Sequence, residues 1–130
     1  NNVVAITGIC KIIDCGFLTN TIFNIFQPFS IRIYKLIFGH YFLSGFSFGI
    51  YKNIYEKSGG FNKNLNAQED IDLSFRISKT GKIKFVSNLP VTVSGRRFKK
   101  GLLKGLLPYI KTFIGYFYYK DEKVILPDIR

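Results

Sequence analysis

Carboxylates are scarce in this sequence, and three of them sit together. Of eight Asp and Glu residues in a 130-residue chain of net charge +11, Glu69, Asp70 and Asp72 fall within the stretch NAQEDIDLSFRISKTGK. A carboxylate at the mouth of a pocket can take a proton from a hydroxyl, which is general-base chemistry. A carboxylate in the first turn of a helix also relaxes against the helix dipole, by about 0.3–1 kcal/mol. The cluster therefore admits a chemical role and a structural one. On the structural side, Asn66 followed by Glu69 fits a capping box. Asp72 and Arg76 lie one helical turn apart and can pair along one face. Ile71, Leu73, Phe75 and Ile77 supply the apolar contacts of the same helix.

Arg96 and Arg97 form a second candidate group, because a guanidinium fork matches phosphate oxygens. A basic loop facing solvent or lipid is the alternative. His40 is the lone histidine, on an aromatic-rich segment, and reads as packed or surface-lying rather than catalytic. Cys10 and Cys15 lack the further Cys or His residues that a zinc site needs, so they read as free thiols in a reducing compartment. The basic residues favour the C-terminal half, with Arg96, Arg97, Lys99, Lys100, Lys104 and Lys111 close together. Nucleic acid, acidic lipid headgroups and phosphorylated small molecules all suit such a charge. No zinc-finger, RRM-like or helix-turn-helix pattern is visible, which weighs against nucleic acid.

These groups must be positioned by a mixed α/β fold. At 130 residues the chain has room for one domain with a real core. Val3–Ile6 reads as a buried strand. Residues 17–38 are rich in Phe and Ile. Gln27, Pro28, Arg32, Lys35 and His40 interrupt the region too often for a membrane span, so a core helix is expected, capped by Ser30 and running from Ile31 to Phe38. A strand around Phe46–Tyr51 and a helix over Lys52–Ser58 follow, ended by Gly59-Gly60. The acidic helix should start at Asn66 and end before Gly81. Ile83–Val86 and Val91–Val93 read as strands joined around Pro90, and Lys99–Tyr119 as a last helix containing Pro108. The opening NNVVAITG begins like an internal strand, without an initiator Met or a signal peptide, as expected of a fragment that continues upstream.

The order of these pieces resembles the family 2 glycosyltransferases of GT-A fold. The matching residues are Ser44-Gly45 and Phe48-Gly49, then Gly59-Gly60-Phe61, then Glu69-Asp70-Ile71-Asp72-Leu73 with Arg76, then Gly81, then Arg96-Arg97-Phe98. They cover Val3 to Phe98, with a looser echo to Arg130. No single piece is specific; the ordered set is. The resemblance implies a partial GT-A domain over residues 1–98, the acceptor-side half of an inverting glycosyltransferase. It implies transfer of a sugar from a nucleotide-sugar donor to a hydroxyl acceptor, lipid-linked or on a growing glycan. Asp70 matches the general base, with Glu69 orienting the site or capping the helix. A helix N-terminus should hold the pKa of Asp70 down and keep it ionised. Gly59 and Gly60 would let the backbone pass close to the sugars, and Arg96 and Arg97 would hold the leaving diphosphate. Asp72 and Arg76 read as mainly structural. The family also implies a divalent metal, Mg or Mn, held by an Asp-x-Asp motif that this chain lacks. Asp70-Ile71-Asp72 has the letters, but it follows Gly-Gly-Phe and opens an amphipathic helix. The nucleotide-binding half is therefore expected to lie outside this chain.

Residues 99–130 carry a different signal. Leu103, Leu106, Leu107, Ile110, Phe113, Ile114 and Phe117 recur at helical spacing, with Lys104 and Lys111 on one side. This pattern suits a basic amphipathic helix on an anionic membrane surface; a helix docked on the domain's own core is the alternative. The expected location is cytoplasmic and peripheral, at the inner face of a membrane. A non-enzymatic, membrane-binding remnant of such an enzyme is the rival to catalysis.

Overall fold

The structure, a computed structural model, describes residues 2–119; residues 120–130 of the basic tail, and with them the echo of the family pattern up to Arg130, lie outside the described residues. The elements are β1 (Val3–Thr7), β2 (Cys10–Lys11), α1 (Phe17–Phe38), β3 (Phe48–Ile50), α2 (Lys52–Lys57), α3 (Glu69–Ile77), β4 (Lys82–Phe85), β5 (Val91–Thr92), a 3-10 turn (Arg96–Phe98) and α4 (Leu102–Tyr119). The class is mixed α/β.

β1 is the centre of a three-stranded sheet in the order β3-β1-β4. It pairs antiparallel with β3, Ile6 opposite Gly49, and parallel with β4, Ile6 opposite Lys84. β2 and β5 form a second parallel pair just beyond, with Cys10 opposite Val91. Ala5 and Ile83 from the sheet, Leu43 from the loop before β3, and Leu73 and Ile77 from α3 make the main core. Burying such side chains contributes about 1.5–3 kcal/mol each. This core sets α3 on the sheet and so fixes where the acidic cluster sits.

The helix expected from Ile31 is longer. α1 runs unbroken from Phe17 through Pro28. A proline in a helix interior removes one backbone bond and costs about 3 kcal/mol. Tertiary contacts on both sides of Pro28 hold the helix together. Before it, the Asn24 amide bonds both the N–H and the C=O of Ile12, each at 2.9 Å. After it, Ile31 and Tyr34 are buried. Ser30 caps nothing; its hydroxyl donates to the Gln27 carbonyl at 2.7 Å. Nor is α1 a core helix. Ile31 is 0 % exposed, but Leu36 is 85 % and Leu18 69 % exposed.

α3 begins at Glu69, later than the capping box at Asn66 requires. The cap position is Gln68, in the left-handed region at φ 65°, without a side-chain capping bond. Its amide donates instead to Thr112 Oγ1 of α4 at 2.8 Å, which ties the start of α3 to α4. β2 and the 3-10 turn carry no pattern of their own and were not expected. α4 starts at Leu102, after Gly101 at φ 111° ends the turn that bears Lys99 and Lys100. Among the described residues no helix is long and apolar enough to cross a membrane.

Candidate functional site

Asp70 is the second residue of α3, and its carboxylate is held at both ends. Oδ1 accepts from the N–H of Ile71 at 2.8 Å and Oδ2 from the N–H of Gly45 at 3.0 Å. The approach is close: a Cβ at Gly45 would sit 3.1 Å from Asp70 Oδ2 and would push the carboxylate by a few tenths of an ångström. The loop carrying Gly45 is fixed in turn. The Ser44 N–H donates to Thr7 Oγ1 at the end of β1, and the Leu43 N–H donates to Ser74 Oγ at 2.7 Å. Ser74 completes the circuit by donating to the backbone carbonyl of Asp70 at 2.5 Å. The loop and the helix therefore each give the carboxylate one amide, and the sheet holds the loop through Thr7.

Its electrostatics correct the expectation of a low pKa. Burial pushes the Asp70 carboxyl above the ordinary Asp value, the amides of Ile71 and Gly45 pull it back, and the neighbouring charge of Glu69 adds to the rise. Desolvation outweighs the dipole because the carboxylate is folded under the 44–47 loop rather than left in water. Glu69 itself is exposed. Tyr34 lies close enough to feel Asp70. Burial raises its hydroxyl, and the Tyr116 hydroxyl and the Asp70 charge add to the shift. His40 is packed edge-on against Tyr34 and Phe75, with ring centroids at 5.7 and 4.8 Å, and burial holds its pKa down.

Gly59 and Gly60 form a left-handed pair at φ 82° and 66° that ends α2. Arg76 holds this pair: its guanidinium donates to the carbonyl of Ser58 and, at 2.7 Å, to that of Gly60. The same group meets Asp72 Oδ2 at 2.8 Å, while Tyr116 of α4 donates to Asp72 Oδ1 at 3.1 Å. Asp72 and Arg76 are therefore the half-buried centre of a network joining α2, α3 and α4, and more than a solvent-side pair. Sequence reasoning missed Tyr116, which is 44 residues away from its partner.

Arg96 and Arg97 stand on the 3-10 turn. Asp14 fixes that turn: its Oδ1 accepts from the Gly95 N–H at 2.6 Å and its Oδ2 from Ser94 Oγ at 2.9 Å. Those two bonds hold the Asp14 carboxyl below the ordinary Asp range. Cys15 donates its thiol to the Gly95 carbonyl at 3.1 Å, and buried Cys10 has its pKa pushed up to about 11 by desolvation; both thiols are free. The Arg97 guanidinium lies over the Tyr109 ring of α4, 5.6 Å from its centroid, while Arg96 is exposed. Asp70, Glu69, Gly59 and Gly60 thus gather around α3, whereas Arg96 and Arg97 belong to the turn between β5 and α4.

Two concavities lie near these groups. One, of about 300 Å³, opens where the β1/β4 ladder ends, and is lined by Thr7, Gly8, Phe46, Ser47, Val86 and Leu89 among others. The other, of about 440 Å³, lies beside α3 and is lined by Asn62, Leu65, Asp72, Phe75, Tyr116 and Phe117. Asp70 lines neither, but the turn it grips through Gly45 continues into the wall of the first.

The implied divalent metal does not fit the residues present. Both oxygens of Asp70 face backbone N–H groups, and Asp72 is already matched to the Arg76 cation and the Tyr116 hydroxyl. Two residues apart on a helix, the carboxylates point to different sides. Among the described residues no three His, Cys, Asp or Glu side chains are grouped to hold a metal ion. No protein-family model, curated protein or solved structure matches the chain.

Proposed function

We propose that the chain is the acceptor-side half of an inverting glycosyltransferase of the family 2, GT-A type, with Asp70 as general base, working at the cytoplasmic face of a membrane. The observation that carries this is the environment of Asp70: a carboxylate at a helix start, oriented by two backbone amides and raised in pKa by burial. A base works best when its pKa approaches the operating pH. Each carboxylate oxygen keeps a second lone pair for a substrate proton. In the proposed step Asp70 takes the proton of the acceptor hydroxyl, whose oxygen bonds to the anomeric carbon. The bond from that carbon to the diphosphate oxygen breaks, and the nucleoside diphosphate leaves with the electron pair. Glu69 raises the basicity of Asp70 through its charge. The Gly59-Gly60 turn, clamped by Arg76, forms part of the acceptor wall, and Arg96 and Arg97 receive the leaving diphosphate.

The test is release of nucleoside diphosphate from a panel of nucleotide sugars, with water or glycans as acceptors and with whatever the gene encodes ahead of Asn1 included. Asp70→Asn keeps the shape but cannot take the proton, so release should fall by about 10²–10⁴. Donor binding, read by calorimetry, should persist. Turnover within a few-fold of wild type removes Asp70 from this role. The second reading, a membrane-binding remnant without catalysis, is favoured by the exposed apolar residues of α4, such as Leu103, Leu107 and Ile110. No release from any donor, with vesicle binding intact, selects it.

A further inference from the structure

We propose that the outward face of α1 is a membrane-binding surface, lying along the headgroup boundary of a bilayer that contains anionic lipid. The proposal is independent of what Asp70 does. α1 buries Ile31 and Tyr34 on its inward side. Its inward side carries polar groups that grip backbone: Asn20 brackets Cys15, accepting from its N–H at 3.2 Å and donating to its C=O at 3.0 Å, and Asn24 brackets Ile12 in the same way. Its outward side carries Leu18, Ile22, Ile25, Phe29, Ile33 and Leu36, all exposed. They recur at steps of three and four, the spacing that keeps side chains on one helical face. An exposed apolar stripe of this length on a folded domain marks an interaction surface.

Charge selects the occupant. Arg32 and Lys35, both exposed, lie to one side of the stripe, over the rings of Phe85 and Tyr41 at 5.1 Å each. α4 runs beside α1, with Phe117 stacked on Phe38 at 5.3 Å and Phe113 edge-on to Tyr34 at 6.3 Å. It exposes its own stripe of Leu103, Leu107, Ile110 and Ile114, next to Lys104 and Lys111. Neither helix carries an acidic residue. A second copy of the chain would bring cations against cations with no carboxylate on either helix to offset them. An anionic bilayer meets both features: its acyl boundary takes the stripe and its headgroups take the Lys and Arg. α1 cannot cross the bilayer, so it lies in its plane.

Two variants test this with vesicles of phosphatidylcholine alone or mixed with phosphatidylglycerol. The chain has no Trp, so Phe29→Trp places a single reporter on the stripe. Its emission should shift to the blue on adding the anionic vesicles and be quenched by acyl-brominated lipid. The triple change Ile25→Ser, Phe29→Ser, Leu36→Ser is at exposed positions and should keep the far-ultraviolet circular dichroism. It should lower sedimentation with anionic vesicles by about tenfold or more. Unchanged Trp emission, or triple-variant binding within twofold of wild type, overturns the proposal. So does a stable dimer that the triple change dissolves while the wild type ignores vesicles.

Discussion

α3 and α1 both bury apolar residues, yet only α1 also exposes a long apolar stripe. α3 turns Leu73 and Ile77, each 0 % exposed, into the core, leaves Glu69 outside, and holds Asp70 on backbone amides and Asp72 in the Arg76 network. α1 turns Asn20 and Asn24 inward and its Leu, Ile and Phe stripe outward. The difference teaches that hydrophobic periodicity identifies a face without saying what covers it. For α3 the cover is the sheet. For α1 the inner face is seated by the Asn20 and Asn24 bonds together with buried Ile31 and Tyr34, which leaves the outward apolar stripe without a partner among the described residues.

The sharpest break in this comparison is a matched pair of leucines. Leu73→Ala should destabilise the fold by about 2–5 kcal/mol in urea unfolding, because it opens a cavity beneath the sheet. Leu36→Ala should change stability by no more than about 0.5 kcal/mol, because its side chain is in contact with solvent. Equal losses at the two positions would mean that the α1 stripe is buried. Next in size is Asn24→Ala, which leaves both backbone groups of buried Ile12 without their side-chain partner. A cost of about 1–3 kcal/mol in the same assay is expected. A negligible cost would show that buried Ile31 and Tyr34 seat α1 without help from Asn24.

Asp70 gives a smaller effect with a definite sign. Its pKa is raised by folding, so the folded chain binds that proton more tightly than the unfolded chain does. Stability therefore falls as pH rises from the ordinary Asp value through the raised one. Asp70→Asn removes this term, and the variant should gain on wild type as pH rises above the ordinary Asp value. Asp14 has the opposite sign. Its lowered pKa means that the stability it lends the Ser94–Gly95 turn is present above the ordinary Asp value and lost as pH falls through the lowered one. A gain of Asp70→Asn toward acid instead of toward neutrality would contradict the burial of this carboxylate.

The sequence showed some of this and hid the rest for physical reasons. The Asp72–Arg76 pair, the Gly59-Gly60 stop and the strand at Val3 were legible because each depends on neighbours within a turn or two of chain. The unbroken α1 was not, since Pro28 is an intrinsic breaker and the bonds that override it come from Ile12. Asp14 gave no local signal because its partner Gly95 is 81 residues away. The raised Asp70 carboxyl was read with the wrong sign. The helix N-terminus is visible in the sequence, whereas the loop that buries the carboxylate is not. Glu69, Asp70, Gly59 and Gly60 lie around α3 while Arg96 and Arg97 stand apart on the 3-10 turn, and the bonds that tie Asp70 to Gly45 and Ser74 exist only in the fold.

One experiment addresses the division of labour between these two helices. Nucleoside diphosphate release would be measured for wild type, Asp70→Asn and the α1 triple serine variant, each with a soluble glycan acceptor and with a lipid-linked acceptor in anionic vesicles. The account predicts that Asp70→Asn loses about 10²–10⁴ with both acceptors, while the triple variant keeps the soluble reaction and loses the vesicle reaction. Turnover by Asp70→Asn within a few-fold of wild type, or loss of the soluble reaction in the folded triple variant, would contradict it.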